Sequence, residues 1–334
     1  DPARPGDRFS VIGVAAAGHV FEGAVGAGQA VRIFTGAPVP AGATRIIIQE
    51  DVDAQGEVIL LKDGLDSGTH IRPLGQDFRA GDSLPPRRLR ANDLALLAAM
   101  NLPEVTVARR PVVALIATGD ELVMPGESPR ADQIIASNAF ALKAMVEAEG
   151  AEARLLPIAR DTEADLTTVL GLAEGADLVV TIGGASVGDH DLVARVAERL
   201  GMERAFYKIA MRPGKPLMAG RLRGVPRLGL PGNPVSAIVC GHLFLLPMLR
   251  AMQGLPAAPV TRRAVLAEAV AANGPRTHYM RARLTAGPAL PLVTPFERQD
   301  SALLRILTEA DALLIRPLGD PARAAGDEVD YLPL

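Results

Sequence analysis

The chain has 334 residues, 35 basic against 38 acidic, for a net charge of −3. That near balance excludes the basic footprint of a nucleic-acid or membrane-surface binder. A single cysteine, Cys240, excludes an internal disulfide and fits a reducing compartment and a buried core thiol.

Hydrophobic residues make up 49% of the chain, enough for a sizeable core, and the length predicts roughly two to four domains. No secretory leader is legible. The longest apolar run, residues 237–248, is interrupted by Gly241, His242 and Pro247, so a cytoplasmic protein without a membrane span is expected. The chain opens on Asp1-Pro2-Ala3-Arg4 with no initiator methionine.

Residues 1–76 alternate short apolar runs with Gly and Pro turns and predict a β-rich domain, with strands at 11–15, 29–34 and 45–49. Between the last two strands, two prolines and two glycines make residues 35–42 a rigid, exposed loop or a plain connector. Residues 77–110 read as a connector. The turn Gly75-Gln76-Asp77 opens it, a short capped helix over 92–100 occupies it, and Pro103 and Arg109-Arg110-Pro111 close it.

Residues 111–256 alternate strand and helix. Strands are expected at 112–118, 154–159, 177–182, 206–210 and 227–230. Helices should follow Ser137-Asn138, Asp161-Thr162 and Asp191, with a last one over 235–252. This alternation predicts an α/β central domain with a doubly wound, mostly parallel sheet. Residues 257–334 return to short strands and predict a small β domain, with a helical signal only at 301–307. The expected fold is therefore multidomain, with β-rich domains flanking the central one.

In doubly wound sheets, ligands bind outside the carboxyl ends of the strands. That rule selects Gly119-Asp120-Glu121, Asp161, residues 183–191 and Pro231-Gly232-Asn233-Pro234. Gly183 and Gly184 lie in a strand–turn–helix stretch where glycines admit a ligand and a helix N-terminus favours an anion. Asp189 and Asp191 add carboxylates there, although Asp189 also suits a helix cap. Asp120, Glu121, Asp161 and Asp191 together make an oxygen-only set that suits Mg²⁺ rather than structural Zn²⁺. Asp161 suits a helix cap equally well, and Asp120 and Glu121 suit a solvated turn. In Met211-Arg212-Pro213-Gly214-Lys215-Pro216, Arg212 and Lys215 are candidates for an oxyanion or for surface salt bridges. No P-loop, Cys/His metal cluster or G-x-S-x-G elbow is present.

Six motifs occur in order: Arg32-Ile33-Phe34-Thr35-Gly36-Ala37-Pro38-Val39-Pro40, Thr118-Gly119-Asp120-Glu121-Leu122, Ser137-Asn138, Gly183-Gly184-Ala185-Ser186-Val187-Gly188, Pro213-Gly214-Lys215-Pro216 and Leu230-Pro231-Gly232-Asn233-Pro234-Val235-Ser236. On them the whole chain closely resembles the molybdopterin molybdenumtransferase family, which includes the gephyrin E domain. The resemblance implies insertion of molybdate into adenylylated molybdopterin with release of AMP, assisted by a divalent cation such as Mg²⁺. It also implies an elongated homodimer with its active site in a cleft between subunits, and a molybdopterin adenylyltransferase as a further partner. Residues 77–110 then read as the remnant of an elongated dimerisation domain.

By the same resemblance Glu121, Asp161, Asp191 and Thr35 serve catalysis, and the metal contacts are Asp120, Glu121 and Asp191. Thr35 and Asp77 come from the neighbouring subunit. Gly183, Gly184 and Ser186 approach substrate, and Pro231 and Pro234 shape the pterin side. Since molybdate is an oxyanion, Arg212, Lys215, Ser236 and Ser137 are its expected contacts. Two departures stand out. Ala117 replaces the family's usual Ser or Thr, and the family's N-terminal segment with an Asp-Gly-Tyr-like motif would precede Asp1. Competing functions are a molybdopterin adenylyltransferase, which resembles the central domain alone, and a dimeric scaffold like gephyrin.

Overall fold

A computed structural model describes residues 3–184 and 192–334. The chain divides into two compact units, Asp1–Pro85 and Pro86–Leu334.

In the first unit, β1 (Arg8–Ala15), β2 (Gln29–Ile33), β3 (Val52–Gln55) and β4 (Val58–Leu61) form one sheet in the order β2-β1-β4-β3. Strand β1 alternates exposed and half-buried residues, the period of a sheet with one solvated face. β3 and β4 join through Gly56-Glu57, where the φ of +65° at Gly56 meets the needs of a two-residue hairpin. The strand expected at 45–49 does not form. Ile46 donates one backbone bond to Thr69 O (3.0 Å) and the Arg45 side chain caps the carbonyl of Gly68 (3.2 Å), so this run is pinned by a loop instead of a ladder. The hairpin at 52–61 forms two strands of the sheet that the sequence did not predict, because Asp53, Gln55 and Glu57 break up its apolar run.

The second unit opens with α1 (Ala91–Ala99). Its N-terminus is held by buried Asp93, which accepts from the Arg90 backbone N–H (2.9 Å) and pairs with Arg87 (2.9 Å). Then follow β5 (Val112–Ala117), β6 (Leu122–Val123), β7 (Ile134–Ile135), α2 (Asn138–Ala148), β8 (Glu152–Leu155), α3 (Glu163–Gly171) and β9 (Leu178–Ile182). After the undescribed 185–191 come α4 (Leu192–Arg199), β10 (Met202–Tyr207), β11 (Met211–Arg212), β12 (Met218–Leu222) and β13 (Val225–Leu230).

The central sheet has the order β10-β12-β13-β9-β5-β8. β13, β9, β5 and β8 are mutually parallel, and β10 and β12 add an antiparallel edge. Every residue of β5 and β9 is buried, as a strand covered on both faces must be. One face packs Leu115, Val180 and Leu228 against α2 and the 234–252 helix; the other packs Ile116 and Val179 against α3 and α4. The doubly wound expectation holds. The strand expected at 206–210 instead spans 202–207, because Lys208 takes a left-handed φ of +78° that ends it, and β12 was not foreseen.

Residues 234–252 form one helical run made of α5 (Pro234–Cys240), a π-helical turn (Gly241–Leu245) and α6 (Leu246–Met252). Gly241, His242 and Pro247 do not interrupt it. Pro247 falls in the first turn of α6, and Gly241 lets α2 approach, since a Cβ there would meet Met145 Cε at 2.9 Å. At 19 residues and mean hydropathy 1.7, the run is long and apolar enough to cross a membrane by length and composition. Here Val235, Ala237, Val239, Leu245 and Leu249 are spent on the core beside the sheet.

The last part contains β14 (Arg262–Leu266), β15 (Thr277–Thr285), β16 (Leu292–Pro295), α7 (Leu304–Thr308), β17 (Ala312–Arg316) and β18 (Glu328–Pro333). Pairings run β15-β16-β14-β18-β17 and return to β15, so this small β domain closes into a barrel. β11 adds to its β15 in parallel, with Arg212 opposite His278. The Arg212 segment therefore belongs to the barrel as much as to the α/β domain.

Candidate active site

Three parallel strands deliver their carboxyl ends to one place. β5 ends at Thr118-Gly119, β9 at Gly183-Gly184 and β13 at Pro231-Gly232. Thr118 N–H donates to Ile182 O (2.9 Å) and Gly183 N–H to Leu230 O (3.0 Å), so the ladder continues into the loops. The backbones close in tightly: a Cβ on Gly183 would lie 2.7 Å from Thr118 O, and one on Gly232 would lie 3.5 Å from Gly183 Cα. Gly183 and Gly184 have φ of +96° and +67°, which only glycine holds at low cost. The glycines expected at this edge are needed both for conformation and for approach. Ser186, Asp189 and Asp191 fall outside the described residues.

Glu121 and Asp161 come to the same edge, both exposed. The Glu121 carboxylate folds back over Gly119, whose absent Cβ leaves the room. Asp120 accepts the Asp161 backbone N–H on Oδ1 (3.0 Å), which occupies one of its two carboxylate oxygens. Asp161 does not cap α3. Thr162 does, accepting from Asp165 N–H (3.2 Å), and so the Asp161 carboxylate is left to other uses. Among the described residues no group of three or more His, Cys, Asp or Glu side chains gathers as a metal site, and the third expected carboxylate, Asp191, is not among them.

Ser137 sits at the N-cap of α2 in a helical conformation and makes no cap hydrogen bond. Its neighbour Asn138 makes the contact that matters, donating from Nδ2 to Gly232 O (2.7 Å) and tying α2 to the Pro231–Pro234 turn. Pro231 is buried and Pro234 opens α5 at its first turn. Ser236 is buried two residues further along. The barrel supports this helix end too, because Val235 N–H donates to Ser301 O (3.0 Å). Buried Arg281 holds the 299–303 loop through Gln299 Oε1 (3.3 Å) and Asp300 O (2.9 Å).

Lys215 lines an open hollow of about 540 Å³ with Lys208, Arg276, Ile209, Ala210 and Pro275. Lys208 also lies 5.2 Å over the Tyr207 ring. Arg212 is exposed on β11, and no ion pair holds Arg212, Lys208, Lys215 or Arg276 among the described residues. Among the described residues these four cations are therefore not spent on carboxylates. Burial, then Arg212, Arg281, Arg276 and Arg316, push His278 down to about 4, so its imidazole is neutral and adds no charge. Cys240 is fully buried, its thiol pushed up to about 12 by burial. Its Sγ packs where a Cβ on Gly214 would stand, at 2.5 Å, which shapes the Gly214-Lys215 turn. Lys208, Arg276 and Arg160 were not singled out in the sequence, where a lone basic residue in a loop carries no pattern, and Asn138 was read there only with Ser137 as a helix start and family motif.

Thr35 and Asp77 are exposed in the first unit. Thr35 occupies the turn Phe34–Ala37, closed by Ala37 N–H to Phe34 O (3.0 Å), with Gly36 at φ +87°.

Comparison with known proteins gives three family matches in chain order. They are the MoeA N-terminal region (domain I and II) over residues 2–101, the probable molybdopterin binding domain over 114–251, and the MoeA C-terminal region (domain IV) over 263–334. Curated relatives include a molybdopterin molybdenumtransferase of Nostoc sp., 34% identical over 279 residues, 80% of this chain and 63% of the relative. One from Haemophilus influenzae is 38% identical over 188 residues, 55% of this chain and 46% of the relative. Molybdopterin molybdenumtransferase 2 of Mycobacterium tuberculosis is 36% identical over 278 residues, 80% of this chain and 68% of the relative. The chain therefore spans less than two thirds of the length of the first two. The crystal structure of a Pyrococcus horikoshii molybdopterin biosynthesis MoeA protein superposes with a TM-score of 0.78 at 30% identity, over 98% of this chain and 81% of that one.

Proposed function

The chain belongs to the molybdopterin molybdenumtransferase family, and from that premise we propose that it inserts molybdate into adenylylated molybdopterin with release of AMP. The observation that carries the reading is the convergence of the Gly119, Gly183 and Gly232 backbones at one sheet edge, with Glu121 and Asp161 beside them. Close-packed glycine backbone accepts a flat, phosphate-bearing ligand, and exposed carboxylates suit the cation that accompanies one.

In this reading Asp120, Glu121 and Asp191 would hold Mg²⁺, which would neutralise phosphate charge, with Asp161 beside them. Asp120 would offer its Oδ2, since its Oδ1 already accepts the Asp161 N–H. Lys208, Arg212, Lys215 and Arg276 attract the oxyanion, while Pro231 and Pro234 keep the pterin-side turn rigid. Thr35 and Asp77 reach the cleft from the second subunit of a homodimer, and the adenylylated substrate arrives from a molybdopterin adenylyltransferase in the cytoplasm. The flanking MoeA regions at both ends favour this activity over adenylyl transfer, which needs the central domain alone.

The test is AMP release from adenylylated molybdopterin with and without molybdate. Release that rises with molybdate supports the proposal; release indifferent to molybdate overturns it.

A further inference from the structure

We propose that Arg160 is the positioning residue for Glu121, an inference that rests on Glu121 serving the reaction above. Glu121 sits in a turn whose three successive carbonyls are all taken. Arg160 Nη1 donates to Asp120 O (3.0 Å) and to Leu122 O (3.1 Å), and Ile134 N–H donates to Glu121 O between them (2.8 Å). A single guanidinium nitrogen thus holds the peptide on either side of Glu121, using both of its N–H bonds.

The same short segment grips the turn twice more. Gly119 N–H donates to Ala159 O (3.0 Å), and Asp161 N–H donates to Asp120 Oδ1 (3.0 Å). Residues 159–161 therefore form a clasp on residues 119–122. Only its Arg160 arm spans the Glu121 peptide. The Arg160 main chain is anchored in turn by its N–H to Asp165 Oδ2 (2.5 Å) on the first turn of α3. A planar fork fixes the angle between two carbonyls, which a rotating lysine ammonium does not. Arg160 is exposed, and no carboxylate pairs with it among the described residues, so its partners are these carbonyls. Held this way, the Glu121 peptide keeps one place at the strand end, from which its carboxylate folds over Gly119.

Two measurements decide the matter. The first needs no activity: hydrogen–deuterium exchange of peptides covering 119–123 and 134–136 in Arg160→Met. Faster exchange there, with 112–117 still protected, supports the clasp; exchange identical to wild type overturns it. The second is a cycle of Arg160→Met, Glu121→Gln and the double variant in molybdate-dependent AMP release. If Arg160 acts through Glu121, the double variant matches Glu121→Gln within about twofold, since residues acting as a unit are not additive. Losses that multiply overturn it, and Arg160→Lys should recover part of the rate. A wild-type chain without molybdate-dependent release sinks the functional reading, and the exchange measurement still decides what Arg160 holds.

Discussion

Replacing Gly183 with alanine separates two costs that usually travel together. Gly183 has φ +96°, and Gly201, just past α4, has φ +93°. An alanine at either position meets the same unfavourable backbone conformation, about 1–2 kcal/mol. Their surroundings differ. A Cβ on Gly201 finds no heavy atom within 4 Å, whereas one on Gly183 would press on Thr118 O at 2.7 Å and Thr118 Oγ1 at 3.2 Å. Thr118 is buried and its N–H is tied to Ile182 O (2.9 Å), so the strand end cannot step aside freely. Overpacking of this kind costs about 1–3 kcal/mol more. Gly201→Ala should therefore destabilise by about 1–2 kcal/mol and keep turnover, and Gly183→Ala by about 2–5 kcal/mol with loss of turnover. Urea unfolding of the two variants beside AMP release is the assay. Equal destabilisation within about 0.5 kcal/mol, or full turnover in Gly183→Ala, would refute the argument that backbone approach at this edge makes the site.

The buried His278 should make the protein acid-sensitive. The unfolded imidazole takes a proton as pH falls through about 6.5, while the folded one stays neutral down to about 4. Its contribution is whole above pH 6.5 and lost between there and about 4, by at most about 3 kcal/mol; His278→Gln should flatten that slope in pH-dependent unfolding. Arg227 is buried on β13 with no partner for Nε among the described residues, and burial pulls it down to about 10. Arg227→Met should raise stability at neutral pH by about 1–3 kcal/mol in chemical unfolding; a loss would mean the guanidinium is compensated after all. Cys240, its thiol raised to about 12 and fully buried, should resist thiol reagents until the chain unfolds, and prompt labelling of the native protein would contradict its placement.

Much of this molecule is written locally. The continuous apolar runs of β5 and β9 can only be strands covered on both faces, and the alternation around them leaves a doubly wound sheet as the economical solution. Glycines at 119, 183 and 184 announce turns with positive φ, and Pro234 after a glycine turn announces a helix start. The strand-end rule then brings Glu121, Asp161 and Gly183 together without any contact being known.

What the sequence left open depends on partners far along the chain. Whether residues 45–49 become a strand turned on a loop at 66–69, and whether 52–61 does turned on β1. Closure of the barrel needs β15 to pair on both sides, and β11 joins it from 66 residues away, moving Arg212 beside His278. Arg160 and Asn138 gain their importance only because the fold sets Leu122 and Gly232 within reach, 38 and 94 residues distant. A hydrogen bond lasting across such separations leaves no period or spacing to read, since its geometry exists only once the strands that carry its ends are packed side by side.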